Sequence, residues 1–328
     1  MGSNGHFQSQ AQNMKSYPPG IHAPSLTFFQ DDEQQEIDWA TQEKHIEFLV
    51  TSGVHGIVLA GSSGESATLT LEERGQLVKK TREIARAHGK DNFTITMGCL
   101  AGSTRDILTQ IETGHRNGAD FALVLVPAVF HWAMHQKAIV DFFQETADRS
   151  PIPIVIYNFP GLLSGLDVNS DMLQTLSAHE NISAVKLTCG NVGKMTRVGA
   201  NNPPSQFAAV CGQSDWIVAA LTSGGTGCIS GVANLFPRVL VEIYDLFNAG
   251  RVSEATVLQQ KLSMPEWGIS TGDVNGMKWI VVNERGYPES SAHCRRPFPK
   301  FDDPEKKARV KNFVAPLVPV EKGLNSKK

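Results

Sequence analysis

Lys186 closes the apolar run Ile182-Ser183-Ala184-Val185, and a lysine in that place can do covalent chemistry. If the run is a strand that opens into a cleft, desolvation disfavours the ammonium, and a neutral amine condenses with a carbonyl to form a Schiff base. The plainer reading is a lysine that snorkels past the strand end to solvent or pairs with a carboxylate. Tyr157 closes the preceding apolar run, Ile154-Val155-Ile156. Neighbouring parallel strands lie about 5 Å apart, so the phenol can reach the lysine nitrogen and relay protons as general acid and base. A tyrosine that merely caps the core is the alternative. A third feature, Gly61-Ser62-Ser63-Gly64-Glu65-Ser66, lies between an apolar run and a helical pattern. Its two small hydroxyls and the backbone N–H groups near a helix start make a seat for a carboxylate or phosphate, although generic glycine turns look alike. Glu65 reads as structural, a carboxylate that pairs with backbone donors.

Metal chemistry finds little support. His22, His55, His131, His135 and His293 occur without an H-E-x-x-H, H-x-x-E-H or cysteine cluster. His131 and His135, four apart, are half a site with no third ligand, and they read as loop or pocket-lining residues. Neither a metal nor an organic cofactor is expected.

These candidates need elements that bring them together. Short apolar runs alternate with longer amphipathic stretches: Ile21–Phe28, Ile57–Ala60, Phe93–Met97, Phe121–Val126, Ile154–Tyr157, Ile182–Lys186, Phe207–Val210 and Gly227–Ser230. Runs such as Leu123-Val124-Leu125-Val126 are apolar on both faces, which suits a parallel sheet covered by helices. Between them lie helical patterns such as Leu71–Ala87. Eight βα repeats fit an α/β fold, a closed (β/α)8 TIM barrel; an open doubly wound sheet is weakened by the lack of a G-x-G-x-x-G turn after the first run. After Ala249, helical patterns at Val252–Leu262, Val274–Asn283 and Pro304–Val314 follow with no strand between them, a C-terminal helical extension. The division expected is a flexible tail over 1–19, a catalytic barrel over 20–240 and the extension and tail over 241–328. In such a barrel the active site gathers at the C-terminal strand ends, where Thr27, Ser62, Ser63, Tyr157, Lys186 and the 224–231 region fall.

Composition narrows the partners. Of 328 residues, 41% are hydrophobic and 19% charged, which predicts a globular core. Thirty basic against 33 acidic residues give a net charge of −3, so no nucleic acid or anionic membrane is expected as a partner. Five scattered cysteines without C-x-x-C spacing point to a reducing compartment. No apolar run approaches a membrane span, and residues 1–30 contain Lys15 but no arginine, unlike a transit peptide. A cytoplasmic location is expected.

Taken in order, Gly61-Ser62-Ser63-Gly64-Glu65-Ser66-Ala67-Thr68-Leu69, Tyr157-Asn158-Phe159-Pro160, Val185-Lys186-Leu187-Thr188 with Gly190-Asn191, Thr196-Arg197-Val198 and Gly227-Cys228-Ile229-Ser230-Gly231-Val232-Ala233-Asn234 resemble the dihydrodipicolinate synthase / N-acetylneuraminate lyase family. The likeness runs from about Ile21 to about Gly286. It implies a (β/α)8 barrel with C-terminal helices, a homotetramer, and class I aldolase chemistry on 2-keto acids. It further implies that Lys186 is the Schiff-base lysine, Tyr157 the proton relay, Ser62 and Ser63 the hydroxyls that hold the keto-acid carboxylate, and Ile229 a residue whose backbone lines the pyruvate pocket.

Two departures bear on the branch. The arginine that follows Tyr-Asn-x-Pro in the synthases is missing from Gly161-Leu162-Leu163-Ser164-Gly165, and their second relay tyrosine is matched by Val129. Lysine biosynthesis is thereby disfavoured. Leu162, Leu163, Val129, Phe130, His131 and Trp132 suggest instead the lyases that split 4-hydroxy-2-oxo acids, such as 2-keto-3-deoxy sugar acids or 4-hydroxy-2-oxoglutarate, and the apolar lining equally suits a less polar aldehyde. The expectation is a retro-aldolase that yields pyruvate and an aldehyde. Its rivals are a Schiff-base hydro-lyase or condensing synthase on the same scaffold, and a keto-acid sensor that kept the barrel and lost the relay.

Overall fold

The computed structural model describes residues 16–325. Eight parallel strands close into a barrel in chain order, as the sequence predicts: β1 (Gly20–Pro24), β2 (Gly56–Leu59), β3 (Thr94–Cys99), β4 (Phe121–Leu125), β5 (Ile154–Asn158), β6 (Ile182–Leu187), β7 (Ala208–Cys211) and β8 (Gly227–Ile229), with β8 paired back to β1. Every strand residue is buried, since one face fills the barrel and the other meets helices.

The helices between and after the strands are α1 (Trp39–Thr51), α2 (Leu71–Ala87), α3 (Thr104–Asn117), α4 (Gln136–Arg149), α5 (Ser170–Leu176), α6 (Val192–Asn201), α7 (Ile217–Thr222) and α8 (Pro237–Asn248). Their starts are written locally. Thr70 and Glu73 form a reciprocal cap on α2, with Glu73 N–H donating to Thr70 Oγ1 at 3.2 Å and Thr70 N–H to Glu73 Oε2 at 2.8 Å. Ser103, Asn169 and Asn191 accept from the first turns of α3, α5 and α6.

The eighth barrel helix runs to Asn248, past the boundary at 240 expected from the pattern. The extension holds α9 (Val252–Ser270), α10 (Asp273–Arg285), α11 (Pro304–Val314) and α12 (Val318–Asn325). α9 passes through Pro265, where the sequence pattern stopped at Leu262. A proline removes one N–H from the helix, and burial of Leu262 and Ile269 offsets that loss.

At the other end of the chain, residues 1–15 of the expected tail lie outside the described residues. Residues 16–19 are not a loose tail. Tyr17 is 1% exposed, its ring edge meets Phe121 at 5.0 Å between centroids, and its hydroxyl stands 3.4 Å from Thr96 Oγ1. One aromatic anchor has no period to reveal it in a polar segment.

Candidate active site

Tyr157 and Lys186 are partners in the β5–β6 register, so both side chains leave the sheet on one face. Both are buried, at 2% and 4% exposed. The Lys186 Nζ lies 4.1 Å from the centroid of the Tyr157 ring, and the Tyr157 hydroxyl stands 3.2 Å from Ser62 Oγ. The turn after β2 therefore meets the phenol, and the amine lies over the ring of the same tyrosine. Burial by itself would push the Tyr157 phenol up, but the Lys186 charge and the hydrogen bond with Ser62 outweigh it and hold the phenol below its usual range. A phenol so placed gives and takes a proton readily.

The turn that carries Ser62 and Ser63 is held from several sides. Ala60 and Glu65 adopt left-handed backbone at φ +51° and +58°, and the Glu65 and Ser66 N–H groups donate to Ser62 O and Gly61 O at 3.1 Å. Gly64 is required here, because a Cβ would come 2.9 Å from Ser25 O. Among the described residues no protein acceptor takes the backbone N–H of Ser62 or Ser63, which leaves those donors for an anion. Thr27 sits beneath the turn rather than in its mouth, since its buried hydroxyl donates to Gly64 O at 2.8 Å.

Sequence reading missed the cations that brace this turn. Arg74 on α2 donates to Ser66 O, to Ser66 Oγ at 3.1 Å and to Gly98 O at 2.9 Å. Glu65, read as structural, pairs with Lys278 on α10, both side chains essentially unexposed, and accepts the Arg295 N–H at 2.8 Å. A lysine in the run Lys278-Trp279-Ile280-Val281-Val282 is the one signal that pointed there.

Ile229 ends β8, fully buried and in register with His22. Two residues on, a Cβ at Gly231 would stand 3.6 Å from Ser63 Oγ, so the end of β8 abuts the Ser62–Ser63 turn. His131 and Leu162 lie past other strands, at the same C-terminal end of the barrel. Both are on short 3-10 turns after β4 and β5, where His131 is exposed and Leu162 is 47% exposed, whereas Leu163 is buried. Val129, Phe130 and Trp132 share that exposed rim at 60–73%. His135 caps α4, accepting from Ala138 N–H at 3.2 Å. Among the described residues no three His, Cys, Asp or Glu side chains gather to hold a metal ion.

The arrangement thus joins an amine, a phenol of lowered proton affinity and a hydroxyl-lined turn at the C-terminal end of a barrel. The sequence profile of the Dihydrodipicolinate synthetase family matches residues 18–315. The chain belongs to the dihydrodipicolinate synthetase family. A protein of Emericella nidulans named "Probable 4-hydroxy-2-oxoglutarate aldolase, mitochondrial" is 38% identical, over 94% of this chain and 97% of its own length. The L-threo-3-deoxy-hexylosonate aldolase of Hypocrea jecorina is 35% identical, over 94% and 99%. The crystal structure of a dihydrodipicolinate synthase family protein from Coccidioides immitis superposes with a TM-score of 0.85 at 35% identity, covering 94% of this chain and 98% of that one. This member of the family is a carbon–carbon lyase of its aldolase kind.

Proposed function

We propose that the chain is a class I aldolase that cleaves a 4-hydroxy-2-oxo acid, such as a 2-keto-3-deoxy sugar acid or 4-hydroxy-2-oxoglutarate, to pyruvate and an aldehyde through a Schiff base on Lys186. The contact of Lys186 with Tyr157, itself bonded to Ser62, carries this reading. The Lys186 amine adds to C2 of the substrate, and the Tyr157 phenol protonates the departing carbinolamine hydroxyl, so that water leaves and an iminium remains. The phenolate then takes the proton of the C4 hydroxyl. The C3–C4 pair flows into the iminium, the aldehyde departs and an enamine is left. Protonation at C3 and hydrolysis release pyruvate and restore the amine.

Ser63 and the free N–H groups of the turn hold the substrate carboxylate, Ser62 links the phenol to that seat, and the Ile229 backbone lines the keto-acid end. Thr27 supports the seat through Gly64. His131 and Leu162, on their exposed rim, bound the aldehyde side once substrate fills the mouth. No cofactor enters the sequence of steps, because the iminium is itself the electron sink. The names of two relatives, an oxoglutarate aldolase and a deoxy-hexylosonate aldolase, support both substrate classes.

A homotetramer in the cytosol completes the reading. Five scattered cysteines without C-x-x-C spacing support a reducing compartment. Among the described residues no helix is long and apolar enough to cross a membrane. Light scattering and cell fractionation check these points. The activity is tested by incubating the protein with pyruvate and a panel of aldehydes, trapping with borohydride and mapping the adduct. Pyruvate fixed on Lys186, with aldehyde-dependent condensation, is the expected result; an adduct without turnover turns the reading toward a sensor.

A further inference from the structure

α9 sends a carboxylate inward. Glu266 is 6% exposed, and its Oε2 accepts hydrogen bonds from the Ser214 N–H at 3.1 Å, from the Ser214 hydroxyl, and from the Ser230 hydroxyl at 3.0 Å. Ser214 lies just beyond β7, which ends at Cys211, and Ser230 directly follows Ile229, the last residue of β8. One oxygen from the C-terminal extension thus ties together the ends of two barrel strands. Burial and the nearby Asp215 charge push this carboxyl above its usual range, against the serine hydrogen bonds, and among the described residues no lysine or arginine forms a salt bridge with it. A buried carboxylate without a cation is costly, and an apolar side chain would pack there without that cost, so packing alone does not account for it.

The consequence reaches the pocket by contacts. Ser230 Oγ accepts the Val232 N–H at 3.3 Å and opens the turn Gly231–Asn234. Asn234 closes that turn, its Nδ2 donating to Gly231 O at 2.8 Å and to Pro24 O at 2.9 Å. Gly231 is the residue that abuts Ser63. We propose that Glu266 is a positioning residue: through Ser214 and Ser230 it fixes the ends of β7 and β8, and with them the Ile229–Gly231 backbone that walls the keto-acid end of the pocket beside Ser63. This inference rests on the Schiff-base aldolase reading. Since Tyr157 and Lys186 stand on β5 and β6, loosening that wall weakens keto-acid binding more than it slows the chemical step.

The test compares wild type, Glu266→Leu, Glu266→Gln and Ser230→Ala as full chains. Pyruvate dependence of the condensation, borohydride trapping and thermal unfolding are measured on each. Glu266→Leu raises KM for pyruvate by about tenfold, with kcat changing less, because a group of hydrogen bonds to a charged acceptor is lost. Glu266→Gln keeps an acceptor oxygen and recovers most of the loss, and Ser230→Ala raises KM by about threefold. A folded Glu266→Leu protein with KM within about twofold of wild type, or with kcat reduced at constant KM, overturns the proposal. If that variant does not fold, Ser230→Ala decides, and an unchanged KM there overturns it equally. A wild type that traps no pyruvate on Lys186 defeats the aldolase reading and this inference with it. A wild type that traps normally beside variants of unchanged KM defeats the role of Glu266 alone.

Discussion

Tyr157 and Lys186 face each other across the β5–β6 ladder, with the amine 4.1 Å from the ring centroid and the phenol oxygen turned to Ser62. The register sets this geometry rather than any flexible loop. Parallel partners point to the same side of the sheet, and the hydrogen-bonded ladder holds their Cα atoms in place. Rigid placement of acid, base and nucleophile is what such a reaction needs.

Replacing Lys186 with alanine should abolish both turnover and borohydride trapping of pyruvate, while the circular dichroism stays that of a folded barrel. Peptide mapping decides the point. An adduct that persists on Lys278 would remove Lys186 from the mechanism.

Tyr157→Phe retains the ring and deletes the hydroxyl that meets Ser62. General acid and base groups contribute about 10²–10⁴-fold, so kcat should fall by that order while KM changes less. Pyruvate trapping should persist at a reduced rate. Near-normal kcat would place the relay elsewhere, and His131 would be the next residue to mutate.

The Glu65–Lys278 pair is buried on both sides, so removing one partner strands the other charge. Lys278→Met should cost about 3–5 kcal/mol of unfolding free energy in urea, and the double variant Glu65→Leu/Lys278→Met should recover much of it. A single variant as stable as wild type would mean that water reaches the site.

Acid should weaken the fold through two buried histidines. Burial lowers His22 and His45 to about 4 from 6.5. The unfolded chain then binds protons that the folded chain refuses, so stability is intact above pH 6.5 and declines as pH falls toward 4. Each group accounts for at most about 3 kcal/mol. Urea titrations across this window should show the decline, and His45→Gln should flatten it. An unaltered slope in that variant would assign the acid sensitivity to other groups.

Treatment with EDTA should leave the rate unchanged, because the iminium does the work that a Lewis acid does in metal-dependent aldolases. Activity lost to the chelator and restored by Zn²⁺ or Mg²⁺ would argue for the other mechanism.

Much of this protein is written locally. The bounds of α2 and α11 follow from the sequence alone, because a capping residue or proline at the start and a period of apolar residues set the helical backbone within a few turns. Lys186 and Tyr157 stood out for the same reason, each a polar residue at the end of an apolar run whose two-faced burial implies a barrel. What pairs across the chain was not legible. Glu65 and Lys278 are 213 residues apart, and Glu266 reaches Ser214 from 52 residues away. Such contacts depend on how the extension folds back over the barrel, which no local period encodes. The same holds for the rim: the strand ends fix where His131 and Leu162 begin their loops, but only tertiary packing turns Leu163 inward and leaves Leu162 half open to water. Periodicity decides which face of an element is buried, whereas closure of long loops decides which buried faces meet.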